Sequence, residues 1–317
     1  MAIDTKVKVG VVQATPVLFD IEKTVEKVIQ WIQKAKAENC KLLLFPEAFI
    51  PAYPRGLSYD AVVGKRTERG RELWLDYWNN SIEENSGYVK LIQEAVKEAG
   101  IFVALGVTER EALGGTLYCS IFYFGADGSF LGKHRKLKPT GLERFVWGEG
   151  DGSTLSTYNT EIGRIGGLIC WENYMPLARM SMYIKGVEIY LAPTADARPS
   201  WQSTLQHIAL EGRCFVLGSN QFVRKSDYPE RYQDFLQDEP EIMSLGGSVI
   251  VAPNGDVLSG PLLNEEGLLT AELDLDQVKK TKLDFDVIGH YARNDVFDYK
   301  VNGQPESINL KKVTTDK

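Results

Sequence analysis

Histidine is scarce in this chain, with three residues in 317, at positions 134, 207 and 290. They lie far apart, and neither a CxxC pair nor an HExxH motif is present, so spacing offers no metal site. Cysteine is scarce too. The four residues Cys40, Cys119, Cys170 and Cys214 are widely separated, unlike the dense frameworks of small secreted domains. Reduced thiols and a cytoplasmic location are expected. No apolar run approaches the roughly 20 residues of a membrane helix. The opening "MAIDTKVKVGVVQA" lacks a basic stretch followed by an apolar one, so no secretory signal is expected. Basic charge is in deficit, 36 Lys and Arg against 43 Asp and Glu for a net charge of −7. That balance argues against nucleic acid or an anionic membrane as partner. The G-x-S-x-G elbow of many serine hydrolases is missing. "GEGDGST" at 148–154 lacks the Gly-Lys-Ser/Thr ending of a phosphate loop, and its acids would repel phosphate, so it reads as a turn.

What remains is a composition of 44% hydrophobic and 25% charged residues, suited to a globular protein with a sizeable core. "KVKVGVVQA" alternates at Val7, Val9 and Val11 and reads as a strand. Over 20–39 the spacing predicts a helix, with Asp20 as its cap and Ile21, Val25, Val28, Ile32 and Ala35 on one face. A second helix starts after Ser86, carries Val89, Ile92, Val96 and Ala99 inward, and ends at Gly100. A third, "SWQSTLQHIALEGR", turns Trp201, Leu205, Ile208 and Ala209 inward. "CKLLLFPEAF", "IFVALGVTE", "IGRIGGLIC", "VEIYLAP" and "CFVLGSNQF" are buried strands. "LYCSIFYFGADGSFLGKHRKL" and "SVIVAPNGDVLSG" are hairpins turning at Ala126-Asp127-Gly128 and Pro253-Asn254-Gly255. Hairpins interrupt the strand–helix rhythm, which favours two packed sheets with helices outside over one doubly wound sheet. No linker divides the chain. One domain over 1–300 is expected, with 301–317 a polar arm across a partner subunit or a disordered tail.

Three strand-like runs end in a reactive side chain: "LLLFPEAF" at Glu47, "FLGKHRKLKPT" at Lys136 and "IGGLICWEN" at Cys170. Taken singly, each has a plain reading as a solvated turn glutamate, a solvated lysine or a core thiol. Cys40, Cys119 and Cys214 keep the core reading, since each sits beside aliphatic or aromatic residues with no acid–base group identifiable nearby. Together the three types form an acylating set. A carboxylate takes the thiol proton, and a lysine favours the thiolate and stabilises charge on the attacked atom. No histidine relay is needed, and no histidine has an evident partner in the sequence.

In that order, "FPEAF", "KHRKLKPT…ER" and "CWENYMPL" make the chain resemble the carbon–nitrogen hydrolase (nitrilase) superfamily from about Val7 to Tyr299. The resemblance implies a four-layer α-β-β-α sandwich of α/β class, pairing to an αββααββα dimer and in some members to larger spirals. It puts Glu47 at the family's general base, Lys136 at its lysine, Cys170 at its nucleophile and Glu143 at a second glutamate that holds the lysine. It implies no metal or organic cofactor. Amidase and carbamoylase members usually carry an aspartate soon after the nucleophile. Here Trp171-Glu172-Asn173 follows, and "YPRGLSYDAVVG", "ERFVWGEGDGST" and "DFDVIGHYAR" also resemble nitrilases proper. The implied reaction is hydrolysis of an organic nitrile to acid and ammonia through a cysteine thioimidate and thioester. An amidase acting on an amide or carbamoyl group is the alternative. Tyr53, Trp147, Trp171 and Thr194 are the candidates for substrate contact, while His290 in "GHYAR" has a structural role as its plain reading and approach to the site from the C-terminal segment as the alternative. Ala197 in "TADAR" stands where many relatives have glycine, and an alanine resists a positive φ. The loop is therefore expected to differ slightly in shape.

Overall fold

The computed structural model describes residues 5–304, so most of the expected C-terminal arm, 305–317, lies outside the described residues. Thirteen strands are present among them: β1 (Lys6–Gln13), β2 (Leu42–Leu44), β3 (Phe102–Arg110), β4 (Leu117–Phe124), β5 (Phe130–Arg135), β6 (Thr157–Thr160), β7 (Gly163–Gly167), β8 (Ile189–Thr194), β9 (Phe215–Asn220), β10 (Phe222–Arg224), β11 (Ile242–Val251), β12 (Val257–Leu263) and β13 (Gly267–Asp274). The helices are α1 (Ile21–Ala37), α2 (Glu68–Asn80), α3 (Gly87–Ala99), α4 (Glu143–Val146), α5 (Pro176–Ile184), α6 (Pro199–Gly212) and α7 (Asp276–Thr281).

The strands form two sheets. The first runs β13-β1-β2-β3-β4-β5, and the second runs β10-β11-β9-β8-β7-β6 with β12 also on β11. Each has a parallel centre, β1-β2-β3 in one and β7-β8-β9 in the other, flanked by antiparallel strands. Because β4 is antiparallel to both β3 and β5, strand β5 runs in the same direction as β2 and β3.

The layers follow from which strand face is apolar. Val7, Val9 and Val11 alternate toward the middle of the molecule and meet Ile165, Ile189, Leu191 and Leu217 of the other sheet. The opposite face of the first sheet, including Val12, Leu43, Val103 and Phe122, packs on α1 and α3 through Val28, Ile32, Ile92 and Val96. The second sheet turns Tyr190, Ala192 and Val216 onto α5 and α6, where Met182, Trp201, Leu205 and Ile208 meet them. The result is the expected α-β-β-α sandwich.

All three predicted caps form. Asp20 accepts from Lys23 N at 3.0 Å, Ser86 accepts from Val89 N, and Gly100 closes α3 at φ +66°. A cap contributes about 1 kcal/mol. Each fully buried Val or Ile contributes about 1.5–3 kcal/mol, so the apolar stripe decides where these helices lie. Among the described residues, no helix is long and apolar enough to cross a membrane.

Candidate active site

Glu47, Lys136 and Cys170 stand just past the ends of β2, β5 and β7, and the two-sheet fold brings them together in the inter-sheet layer. At Glu47 the chain turns tightly against β3. A Cβ on Gly106 would sit 2.0 Å from Pro46 O and 2.8 Å from Glu47 Cα, so only glycine lets this turn seat. Phe49 N then bonds Gly106 O at 2.8 Å, and Gln221 Nε2 holds Glu47 O at 2.8 Å. Lys136 is fixed by its backbone, its N–H donating to Cys119 O and its carbonyl accepting from Gly150 N, both at 2.8 Å.

Cys170 opens a single tight turn, Cys170–Tyr174, with φ at +50°. A non-glycine residue in that region costs on the order of 1–3 kcal/mol and persists only where its surroundings hold it. Here Asn173 Nδ2 donates to Cys170 O at 2.8 Å and to Leu168 O at 3.0 Å, while Tyr190 OH donates to Asn173 Oδ1 at 2.7 Å. Gly167 permits the approach from the strand side, since a Cβ there would lie 1.8 Å from Leu191 O.

The electrostatics are those of a buried, charge-coupled cluster. Lys136 Nζ donates to Glu47 Oε1 and to Glu143 Oε2, both at 2.7 Å. Glu47 Oε2 is buried with no protein partner and is the oxygen left for a reacting group. Burial pushes the Glu47 carboxyl above its ordinary range, and the Glu143 charge adds to that, against the opposing pull of Lys136. Burial alone would lower Lys136. The neighbouring carboxylates, Glu47 first, reverse this and hold it well above its ordinary value, as an ammonium. Cys170 is 4% exposed, and burial followed by the Glu47 charge pushes its thiol up to about 12. The thiol is therefore protonated at rest, and attack requires a base.

Glu143 is buried in α4 and also accepts from Thr140 N and from Tyr53 OH, each at 2.7 Å. It does not pair with its neighbour Arg144, whose Nε donates to Pro139 O instead. Trp147 packs edge-on against the Tyr53 ring, 5.7 Å between centroids, and lies 5.8 Å from Lys136 Nζ. Thr194, at the end of β8, donates to Cys170 Sγ at 3.1 Å. Trp171 is 39% exposed beside the thiol; its Nε1 donates to Asp196 Oδ2 at 2.9 Å, under the Arg198 guanidinium. His290 is exposed and meets the Tyr291 ring edge-on, and no contact places it with these residues. Ala197 does not adopt a positive φ, so this loop makes no demand for glycine.

Two features departed from expectation. Cys119 is not merely core: its Sγ lies 3.5 Å from Glu47 Oε1. The hairpin register already sets it opposite Lys136, and alternation with Leu117, Ile121 and Tyr123 aims it inward. His134 does have a partner, the buried Glu172, which is 38 residues away in sequence.

Comparison with known proteins identifies the family. The carbon–nitrogen hydrolase family pattern matches residues 8–283. An aliphatic nitrilase of Sinorhizobium fredii (strain HH103) is 49% identical over 304 residues, covering 96% of this chain and 98% of that protein. Nitrilase 2 of Arabidopsis thaliana is 45% identical, covering 96% and 91%. A bifunctional nitrilase/nitrile hydratase of Lupinus angustifolius is also 45% identical, covering 94% and 87%. In fold, the carbon–nitrogen hydrolase of Helicobacter pylori G27 superposes with a TM-score of 0.72 at 20% identity, covering 93% of this chain and 97% of that one. The chain thus belongs to the carbon–nitrogen hydrolase family, hydrolases of carbon–nitrogen bonds other than peptide bonds.

Proposed function

We propose that the protein is a nitrilase that converts a small organic nitrile to its carboxylic acid and ammonia, with Cys170 as nucleophile, Glu47 as general base and acid, and Lys136, held by Glu143, as electrostatic stabiliser. The arrangement that carries this reading is the buried Cys170 thiol set with a carboxylate and an ammonium that are locked together at 2.7 Å. The nitrile, rather than an amide, is favoured by relatives named as nitrilases at 45–49% identity across nearly the whole chain.

In the first step the thiol proton passes to Glu47 as sulfur attacks the nitrile carbon. Glu47 then delivers that proton to nitrogen, giving a thioimidate. Lys136 and the backbone N–H of Trp171 stabilise negative charge developing on the substrate. Glu47 next takes a proton from water, whose oxygen adds to the same carbon while nitrogen is protonated. The tetrahedral adduct breaks its carbon–nitrogen bond, and the hydroxyl proton leaves with nitrogen as ammonia. A thioester remains. A second water, again deprotonated by Glu47, releases the acid, and the proton returns to sulfur. Tyr53, Trp147 and Thr194 touch the catalytic groups, and Trp171, exposed next to Cys170, is the candidate for contact with a substrate's organic group.

Exposed apolar side chains on α5 and α6, Leu177, Ile184 and Leu210, support pairing of two copies through this helical layer. The four free thiols suit a reducing, cytoplasmic setting. The activity is tested by measuring ammonia and acid from a panel of nitriles beside the matching amides, with Cys170→Ala as control. Turnover of nitriles by the wild-type chain is expected, and turnover of amides alone would overturn the reading.

A further inference from the structure

Glu172 takes no part in the chemistry above, yet its carboxylate is buried between the two catalytic strand ends. Oε1 accepts from Leu137 N at 2.6 Å, and Oε2 accepts from Ile169 N at 2.7 Å. Leu137 follows Lys136 and Ile169 precedes Cys170. The first amide belongs to the chain leaving β5 of one sheet, the second to the chain leaving β7 of the other. The His134 ring, also on β5, brings Nε2 to 3.0 and 3.2 Å from the same two oxygens. Its Nδ1 faces Thr154 O at 3.2 Å and Thr154 Oγ1 at 3.3 Å. The carboxylate already accepts two amides and offers no proton, so the ring donates to it through Nε2–H, while Nδ1 faces the carbonyl and hydroxyl of Thr154.

Building on the nitrilase reading, we propose that Glu172, backed by His134, is a positioning residue. Its single carboxylate fastens the peptide next to Lys136 to the peptide next to Cys170 and so sets the spacing of ammonium and thiol across the two sheets. Neither residue touches substrate. A carboxamide cannot replace the carboxylate here. One end of Gln would present N–H to a backbone N–H, and that peptide would be released. A misplacement of about 1 Å costs about 100-fold in rate.

The test uses the full-length protein with Glu172→Gln, Glu172→Asp, His134→Gln and the double variant Glu172→Gln/His134→Gln. Steady-state kinetics on a nitrile that the wild type hydrolyses are paired with thermal unfolding and with the rate at which iodoacetamide modifies Cys170. Glu172→Gln should lower kcat by about 100-fold while KM stays within about threefold. Glu172→Asp keeps the charge but not the reach, and should not restore kcat. His134→Gln should cost about tenfold, the scale of one hydrogen bond to a charged group. The double variant should be no worse than Glu172→Gln alone, because His134 acts through Glu172. The proposal falls if kcat of folded Glu172→Gln stays within about threefold of wild type, if Glu172→Asp restores it, or if the two losses multiply. Should Glu172→Gln fail to fold, His134→Gln decides: a fall in kcat at unchanged KM and unfolding temperature supports the clamp, and unchanged kcat refutes it. If the wild type hydrolyses no nitrile, it is the nitrilase reading that fails. The iodoacetamide rates then judge the clamp independently, a slower reaction in folded variants supporting it and an unchanged one refuting it.

Discussion

Replacing Glu47 with Gln removes the proposed base while keeping its shape. The Gln carbonyl can still accept from Lys136 Nζ, and Glu143 still neutralises the ammonium, so the local packing is retained. What disappears is the acceptor for the Cys170 proton. With the thiol at about 12, roughly one molecule in 10⁵ is a thiolate at pH 7 without assistance. That fraction bounds the loss. Removing Glu47 also removes a negative charge that helps to hold the thiol up, so the observed loss should be smaller than the bound. General-base catalysis is worth about 10²–10⁴, and the high thiol value puts this variant near the upper end, at about 10⁴ in kcat/KM. The assay is ammonia release under single-turnover and steady-state conditions, with thermal unfolding to show that the fold is intact. A Glu47→Gln variant that keeps activity within about tenfold of wild type would exclude Glu47 as the base.

Three further outcomes follow from the same geometry. In wild-type enzyme, kcat/KM should fall on the acid side with an apparent pKa above the ordinary carboxylate range. Burial raises Glu47 and only its ionised form is a base, so activity is present above that value and is lost as pH falls through it; a pH–rate profile reads this directly. Lys136→Met should both abolish turnover and lower stability by about 3–5 kcal/mol, because it leaves two buried carboxylates without their shared cation; denaturant unfolding measures the second effect. Thr194→Val removes the hydroxyl that donates to Cys170 Sγ at 3.1 Å and should lower kcat/KM by about tenfold, as read by steady-state kinetics, with stability changed by less than about 2 kcal/mol.

Much of the sandwich could be read from local pattern because local physics decides it. The alternation at Val7, Val9 and Val11 fixes a strand face, and Asp20, Ser86 and Gly100 fix helix ends. Helix α2 escaped because it buries only Gly70, Leu73 and Tyr77, too few apolar positions to show a period. The partner of each sheet edge escaped as well: β13 joins β1 across more than 250 residues, and no local signal carries that register. At the site, the strand-end positions of Glu47, Lys136 and Cys170 were visible, but their convergence depends on two sheets meeting. Cys119 could have been found by counting register back from the Ala126-Asp127-Gly128 turn. Thr194 and Asn173 could not be assigned their contacts, because a hydroxyl's or amide's partner depends on which strand ends lie side by side. The Glu172–His134 pair belongs to the same class, being two ordinary residues until the packing of the two sheets brings the ends of β5 and β7 together.

In the proposed reaction the substrate becomes covalently attached to Cys170. Intact-protein and peptide mass spectrometry of enzyme quenched during turnover of a nitrile tests it most directly. The expected result is an added mass equal to the substrate's imidoyl or acyl group, localised to the peptide containing Cys170, and neither adduct nor ammonia with Cys170→Ala. Ammonia release by Cys170→Ala, or turnover by wild type with no adduct on Cys170, would contradict it.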